Sequence, residues 1–518
     1  MDNSSMRLGP RGLVKRHELV RIIIQCLYSL GYSRSASTLE IESGIRCKSM
    51  ELELLSSQIL NGNWDDSINT LNSLGFLVDD LRTSALFLVF KQCLLEYLNR
   101  GDDSLALSVL RKRVSKLGIT MEKVQNLAST ILSFQEIELG VMNDNVVQEL
   151  RRQLLIELEK LLPPPIALPG GRLEHLIETA VTSQFDLCMY HNSLGEASLY
   201  EDHSCGRDQM PTETVQILTE HRNEVWVVQF SHNGEYLASS SYDCTAVIWK
   251  VREDGKVIPM HSLQSHQRPV SFIAWSPDDL RLLTCGNEEV AKLWDVEAGA
   301  CECTFGDRDF VVGSCAWFPD SNRLVCGSSH TEKGICMWDR NGTEIKVWRG
   351  PRMPKILDLA VTSDGENLIC VLSEREIRVL NVVTNAERLI SEEHPITSLS
   401  LSADNKFFIV NLNSQEIHLW DIAGDFKKPI RYFGHRQRKY VIRSCFGGLN
   451  SGFIASGSED SRVYIWNRQN TRLIEVLSGH KMTVNCVSWN PRRHKMLASA
   501  SDDHSIRIWM PSATKKMS

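Results

Sequence analysis

Seven positions about forty residues apart dominate the C-terminal part of this 518-residue chain: Trp249, Trp294, Trp338, Leu380, Trp420, Trp466 and Trp509, at steps of 45, 44, 42, 40, 46 and 43. Each closes a short stretch in which apolar and other residues alternate, as in Val247-Ile248-Trp249, Ala291-Lys292-Leu293-Trp294 and Ser505-Ile506-Arg507-Ile508-Trp509. Alternation with period two is a strand signal, whereas a helix repeats about every 3.6 residues. Paired-helix solenoids share the forty-residue period, so the residues around each tryptophan must decide between the two.

The last copy decides it. Leu477-Ser478-Gly479-His480, Val484 to Trp489, Leu497 to Asp503 and Ser505 to Trp509 read as Gly-His, strand, turn, strand, tight turn, strand. This pattern resembles the WD-repeat family, and seven copies imply a seven-bladed β-propeller. In that family a His, a second-strand Ser or Thr, an Asp six residues before the Trp and the Trp itself form one hydrogen-bonded chain. The resemblance places this chain at His221, Asp243 and Trp249 in the first blade, His435, Asp460 and Trp466 in the sixth, and His480, Asp503 and Trp509 in the seventh. A half-buried Asp is tolerated only when hydrogen-bonded, so such a network should stiffen its blade. Glu288, Glu332, Glu374 and Ser414 stand where the other blades would carry the Asp. Blades three to five are therefore expected to be less regular, with loops free to vary for binding. Residues 214–218 precede the first blade without a blade of their own and are expected to supply the missing outer strand of blade seven, closing the ring. The propeller is placed at 212–511, with a tail at 512–518.

A net charge of -7 and a pI near 6.1 provide no basic footprint for nucleic acid. Residues 1–15 lack an apolar signal core and no run is long enough to span a bilayer, so a cytoplasmic protein with possible nuclear access is expected. The 15 cysteines include no Cys-x-x-Cys pair, which in a reducing compartment makes most of them small buried hydrophobes. The sequon Asn341-Gly342-Thr343 falls at a turn, where Asn-Gly serves the backbone.

Before residue 212 the period changes to that of helices, so the fold class is a multidomain α + β chain with an all-α N-terminal domain. Residues 1–12 are expected to be disordered. From 17 to 30, apolar residues at Leu19, Val20, Ile23, Ile24, Leu27 and Leu30 form one stripe that Gly31 ends, and a second short helix carries Ala36, Leu39 and Ile41. With Tyr28, Tyr32 and Glu42-Ser43-Gly44-Ile45, the segment 13–47 resembles the LisH motif. Two helices this short cannot bury their apolar faces alone, and the family solves this by dimerising. The resemblance thus makes Leu19, Ile23, Leu27, Leu30, Tyr32 and Leu39 a dimerisation surface. A helical hairpin follows around Asn61-Gly62-Asn63-Trp64-Asp65, then a helix over about 81–99 bearing Leu86, Phe87, Phe90, Leu94, Tyr97 and Leu98. This order resembles the CTLH domain (48–105), and further helices with a linker resemble its CRA-type continuation (106–205). Pro163-Pro164-Pro165 and Pro169-Gly170-Gly171 make 162–172 a turn or linker.

No phosphate-binding loop, nucleophile elbow, zincin helix or dinucleotide fingerprint occurs, so no catalytic residue and no cofactor are expected. Cys188, His191, His203 and Cys205 are of zinc-ligand type, but His203-x-Cys205 is closer than the usual ligand spacing. The segment is expected to pack on the helical domain and to hold no stoichiometric zinc. Cys301-Glu302-Cys303 would point to opposite faces of a strand. Basic residues gather at Arg349, Arg352 and Lys355 and at Arg436, Arg438, Lys439 and Arg443, both in connections from the outer strand of one blade to the inner strand of the next. Either these are solvated loop charges or they form a partner-binding face. Arg492-Arg493-His494-Lys495 belongs to the opposite face.

LisH, CTLH, CRA-like helices and a propeller in this order resemble the WD-repeat subunits of the CTLH (GID) ubiquitin-ligase complex. The resemblance implies a non-catalytic scaffold that self-associates as a homodimer or higher oligomer, docks on Ran-binding-protein-M-like and RING subunits, and presents a substrate or regulator through its propeller. A Gβ-like or lissencephaly-type adaptor would carry a coiled-coil heptad run in 48–160, where the pattern is instead multi-helical and interrupted by glycines. A cullin-RING substrate receptor would need a Trp-Asp-x-Arg box. Trp249-Lys250-Val251-Arg252 lacks its Asp and Trp338-Asp339-Arg340-Asn341 its Arg.

Overall fold

The computed structural model describes residues 6–74, 79–118, 125, 127, 129, 143–195, 197–286, 290–305, 312–328, 334–348, 354–424 and 427–512. The chain divides into two compact units, Met1–Ala180 and Val181–Ser518. Among the described residues, no helix is long and apolar enough to cross a membrane.

The first unit is helical, with α1 (Arg16–Ser29), α2 (Ser33–Ser43), α3 (Met50–Leu60), α4 (Trp64–Ser73), α5 (Asp79–Asn99), α6 (Asp103–Lys112), α7 (Asp144–Leu161) and the first part of α8 (Arg172–Leu187). Part of the segment expected to be disordered is ordered: Arg7 and Leu8 pair antiparallel with Lys15 and Val14, around a turn that Gly9 and Gly12 make with positive φ. Leu30 closes α1, and Gly31 at φ 86 lets the chain reverse into α2. Ser49 caps α3 by accepting a bond from the Leu52 N–H.

The helical core gathers Leu52, Leu55, Ile59, Trp64, Leu71, Leu86, Val89, Phe90, Leu154 and Leu158. A buried ion pair sits beside it: Arg151 on α7 donates to both oxygens of Glu96 on α5 at 2.8 and 2.7 Å, and to the Leu60 carbonyl at 2.7 Å. The guanidinium also lies 5.5 Å from the centre of the Trp64 ring. A Cβ at position 62 would collide with it, and Gly62 has φ 76, so the Gly-x-Trp hairpin is shaped by a side chain far along the chain. The proline-rich stretch is a turn tied into this unit, with Ile166 and Ala167 each 2% exposed. Arg21 of α1 donates to the carbonyls of Cys47, Pro165 and Ile166 at 2.9, 2.7 and 2.9 Å.

The second unit is a ring of seven four-stranded antiparallel sheets. The inner strands are Val225–Phe230, Val270–Trp275, Val312–Trp317, Ile356–Val361, Ile396–Leu401, Cys445–Gly447 and Val484–Trp489. Each repeated position lies on the third strand opposite a buried apolar residue of the second: Leu237, Leu282, Leu324, Leu368, Phe408, Ile454 and Leu497 in turn. Leu380 keeps this register with Leu368, so the blade without a tryptophan is built like the rest. Strand Glu213–Leu218 pairs with Ile506–Met510 and completes blade seven, as the sequence predicts. Blades three to five are not less regular in their strands, because sheet pairing depends on the alternation and not on the Asp. The shortest inner strand belongs to blade six.

Removing one partner of a buried ion pair strands the other charge. Arg151→Met should therefore destabilise the helical unit by about 3–5 kcal/mol, and the double substitution Arg151→Met with Glu96→Leu should recover most of that loss. Denaturant melts of the three chains check this.

Candidate partner-binding face

In blades one and seven the polar chain forms as the resemblance implies. His221 bonds Asp243 at 3.1 Å and Ser239 at 2.8 Å, and the Trp249 indole N–H donates to the same Ser239 hydroxyl at 2.9 Å. His480, Asp503, Ser499 and Trp509 repeat it at 2.9, 2.8 and 2.7 Å. Burial pushes the Asp243 and Asp503 carboxyls up, but bonds from the histidine, from Thr245 or Ser505 and from a backbone N–H outweigh it and hold both well below the usual carboxylate range.

Blade six corrects the expectation. Neither ring nitrogen of His435 has a hydrogen-bond partner, Trp466 donates to the Phe433 carbonyl at 2.9 Å, and Asp460 accepts from the Tyr464 phenol at 2.8 Å. The hydroxyl that holds the Asp in blades one and seven comes from Thr245 or Ser505, four residues before the Trp. Blade six has Arg462 there, and Tyr464 captures the carboxylate instead. His435 is buried edge-on to Trp466 at 5.7 Å, and burial lowers its pKa to about 4.

Two further networks escaped the sequence reading. In blade two His266 bonds Thr284 at 2.7 Å and Trp294 donates to that hydroxyl at 2.8 Å. The eighteen-residue spacing of His221 and Ser239 would have found it. In blade five Glu392 accepts from Trp420 at 2.7 Å and meets His418 at 2.8 Å, while Glu416 meets the other ring nitrogen at 2.8 Å. Burial works against charge on His418, yet the two carboxylates raise its pKa. Glu288 and Glu332 lie outside the described residues.

On the face formed by blade-to-blade connections, the loop after His435 is pinned from beneath. One oxygen of Glu459 accepts from the backbone N–H groups of Arg438, Lys439 and Tyr440 at 2.8, 2.7 and 3.0 Å. Burial would raise the Glu459 carboxyl, but those amides keep it below the ordinary range. With the backbone so held, the side chains of Arg436, Arg438 and Lys439 are exposed. Lys439, Tyr440 and Val441 border a cavity of about 420 Å³ that Glu224, Trp226 and Asp502 also line. Trp226 packs edge-on against the half-exposed Tyr242 at 5.4 Å. Aromatic groups beside fixed cations are the usual make-up of a protein-binding hot spot. Lys355, exposed at the equivalent entry to blade four, shares this face by topology; Arg349 and Arg352 lie outside the described residues.

Arg443 does not belong to the basic patch. It turns into the central channel, donating to Asp358 of blade four at 2.8 Å and lying 4.6 Å from the Phe272 ring of blade two. Its backbone bridges in parallel to Cys486 of blade seven. Asp358, fully buried, has its carboxyl raised by burial in spite of Arg443 and two backbone N–H groups. Arg492 to Lys495 connect the first and second strands of blade seven, on the opposite face as expected.

Residues 5–49 match the model described as the WDR26 Lis-homology domain, and the model for the WD domain, G-beta repeat, matches 212–250, 258–295, 299–339, 427–467 and 471–510. A protein from Arabidopsis thaliana named WD repeat-containing protein 26 homolog is 45% identical across 97% of this chain and 85% of its own length. The chain belongs to the WD repeat-containing protein 26 family. Another Arabidopsis thaliana relative, named WD repeat-containing protein WDS homolog, is 62% identical over 98% of both chains. A Schizosaccharomyces pombe relative, named GID complex subunit 7, is 33% identical over 95% of this chain and 96% of its own. The two blades that the repeat model does not match, four and five, are those with Leu380 at the tryptophan position and with the Glu392 network.

A histidine whose folded pKa lies near 4 against 6.5 unfolded binds its proton more readily in the unfolded chain. Its contribution is complete above pH 6.5 and is lost as pH falls toward 4. Between pH 7.5 and 5 the parent should lose about 2 kcal/mol more stability than a His435→Leu variant, read from denaturant midpoints at the two pH values.

Proposed function

We propose that this protein is a non-catalytic scaffold subunit of a GID-type ubiquitin ligase, self-associating through its LisH-CTLH helices and binding a substrate or regulator through its propeller. The observation that carries the reading is the near end-to-end similarity to the relative named GID complex subunit 7, in a chain that joins a LisH segment to a closed propeller.

The helical half supports self-association. Within one copy of α1 and α2 only Ile24 and Ala36 are fully buried, while Leu30 and Tyr32 are 61% and 60% exposed. Leu19, Ile23, Leu27 and Leu39 are partly covered, so the stripe has an open side that a second copy would cover. Ran-binding-protein-M-like and RING subunits are the partners this reading assigns to the helical half, and transfer of ubiquitin is left to the RING subunits. The cytoplasm, with access to the nucleus, is the compartment proposed. On the propeller, the exposed Arg436, Arg438 and Lys439 beside Tyr440 and Trp226 favour an acidic segment carrying an apolar anchor.

Ile23→Asp with Leu27→Asp should lower the sedimentation coefficient of the full chain to that of its monomer, since it would bury charge in an apolar contact. Replacing Arg436, Arg438 and Lys439 by Glu should cut capture of propeller-bound partners at least tenfold without lowering the melting temperature. Affinity purification that recovers no RING or CTLH relatives would end the ligase reading.

A further inference from the structure

Of the four side chains that spacing alone set aside as zinc ligands, Cys188, His203 and Cys205 come together, and His191 lies against the last two. Cys188 follows the last turn of α8, with its N–H still bonded to the Gln184 carbonyl at 3.0 Å. His203 and Cys205 lie in an irregular stretch where alternate residues need not point to opposite sides, as they would in a strand. His191 Nδ1 is 3.0 Å from His203 Nε2, and Cys205 Sγ is 3.1 Å from His203 Nε2 and 3.7 Å from His191 Nδ1. The ligand atoms of Cys188, His203 and Cys205 all lie within 4.8 Å of one another, the one such group found among the described residues. Two nitrogens and two sulfurs around a tetrahedral zinc stand roughly 3.3–3.8 Å apart, from Zn–N and Zn–S lengths of about 2.0 and 2.3 Å. A hydrogen bond between the two imidazoles would account for one of these contacts but not for two thiols converging on His203.

The surroundings are those of a built site. Phe185 stacks parallel on His191 at 4.3 Å and edge-on to His203 at 4.6 Å, fixing both ring planes. Gln184 accepts from the His203 N–H at 3.0 Å and donates to Asp202 at 2.9 Å, tying the second ligand pair to the end of α8. The Cys205 N–H points at Cys188 Sγ at 3.3 Å, the amide-to-sulfur bond that supports a coordinated thiolate. All four residues are partly buried and belong to the propeller unit, not to the helical domain as the sequence reading had it.

We propose that Cys188, His191, His203 and Cys205 bind one structural zinc ion. Two thiolates and two imidazoles suit zinc among the common divalent cations, and four protein ligands leave no position for a substrate. Binding releases the two thiol protons to solvent and changes no oxidation state. The metal joins the ends of a loop anchored on the propeller next to its second ligand: the buried Asn192, which follows His191, donates to the Gln209 and His494 carbonyls at 2.9 and 2.6 Å and accepts from the Leu449 N–H at 2.9 Å. Just beyond the loop, Arg207 holds Glu475 of blade six at 2.6 and 2.7 Å and the ring-closing strand begins. Zinc would therefore fasten the approach to the closing strand.

The test is metal analysis of the full chain, expressed with zinc in the medium and purified under reducing conditions without chelator. One zinc per chain is expected, falling to near zero in Cys188→Ser and in Cys205→Ser while the control Cys301→Ser keeps it. Should the serine variants fail to fold, the parent chain reloaded with cobalt must show the visible absorption of a tetrahedral cobalt thiolate. Metal-free protein whose melting temperature added zinc does not change would overturn the proposal. So would zinc retained by both serine variants, or a Cys188–Cys205 disulfide in the freshly isolated chain.

Discussion

A ring of β-sheets stands or falls with its seam. Six blades of this propeller are continuous in sequence, but the seventh is assembled from both ends of the unit, Glu213–Leu218 on one side and Val484 to Met510 on the other. The backbone bonds between Glu213–Leu218 and Ile506–Met510 cover the edge that the last strand would otherwise expose and place Glu213–Leu218 outermost in the sheet, and Arg507 adds a bond to Thr214 at 3.2 Å across the joint. Every inner strand packs on its neighbours around the channel, so an opened seam would release the curvature of the whole ring. The density of polar fastening around residues 188–212 follows from this, since that stretch delivers the closing strand.

What the sequence reveals of this fold follows the reach of the forces involved. The seven third-strand positions were legible because each apolar side chain sits in the same register against a buried partner about a dozen residues earlier, a local relation that repeats. The polar chains were legible in blades one and seven, where every member belongs to the repeated pattern. Blade six has the right His, Asp and Trp and still fails, because Arg462 and Tyr464, outside the aligned columns, redirect the carboxylate. Blade five puts Glu392 in the histidine column, 28 residues before Trp420, and the network re-forms around a carboxylate that the pattern does not predict. Arg443 was misplaced because its partner Asp358 is 85 residues away.

The helical unit repeats the lesson with a single glycine. Gly62 reads as a turn residue in the sequence, and it is one, at φ 76. The further reason for glycine at this position is the Arg151 guanidinium laid over it, bridged to Glu96 and facing Trp64. A buried charge pair of this kind is a costly way to gain stability and a good way to fix one arrangement of helices, because any other packing would leave a carboxylate dry and unpaired. The LisH helices are held within one copy by more exposed bonds, from Arg21 to three carbonyls and from the Tyr28 hydroxyl to Glu40 at 3.0 Å, and their apolar stripe stays half open.

The side chain of Arg443 turns what would be a hollow ring into a spoked one. The side chain grips Asp358 of blade four and lies over Phe272 of blade two while the backbone of the same residue bridges to blade seven, so one residue ties three blades together. The same loop carries Val441 and Tyr440 at the surface two and three residues earlier, so the exposed lip of the face and the buried hub are parts of one short segment.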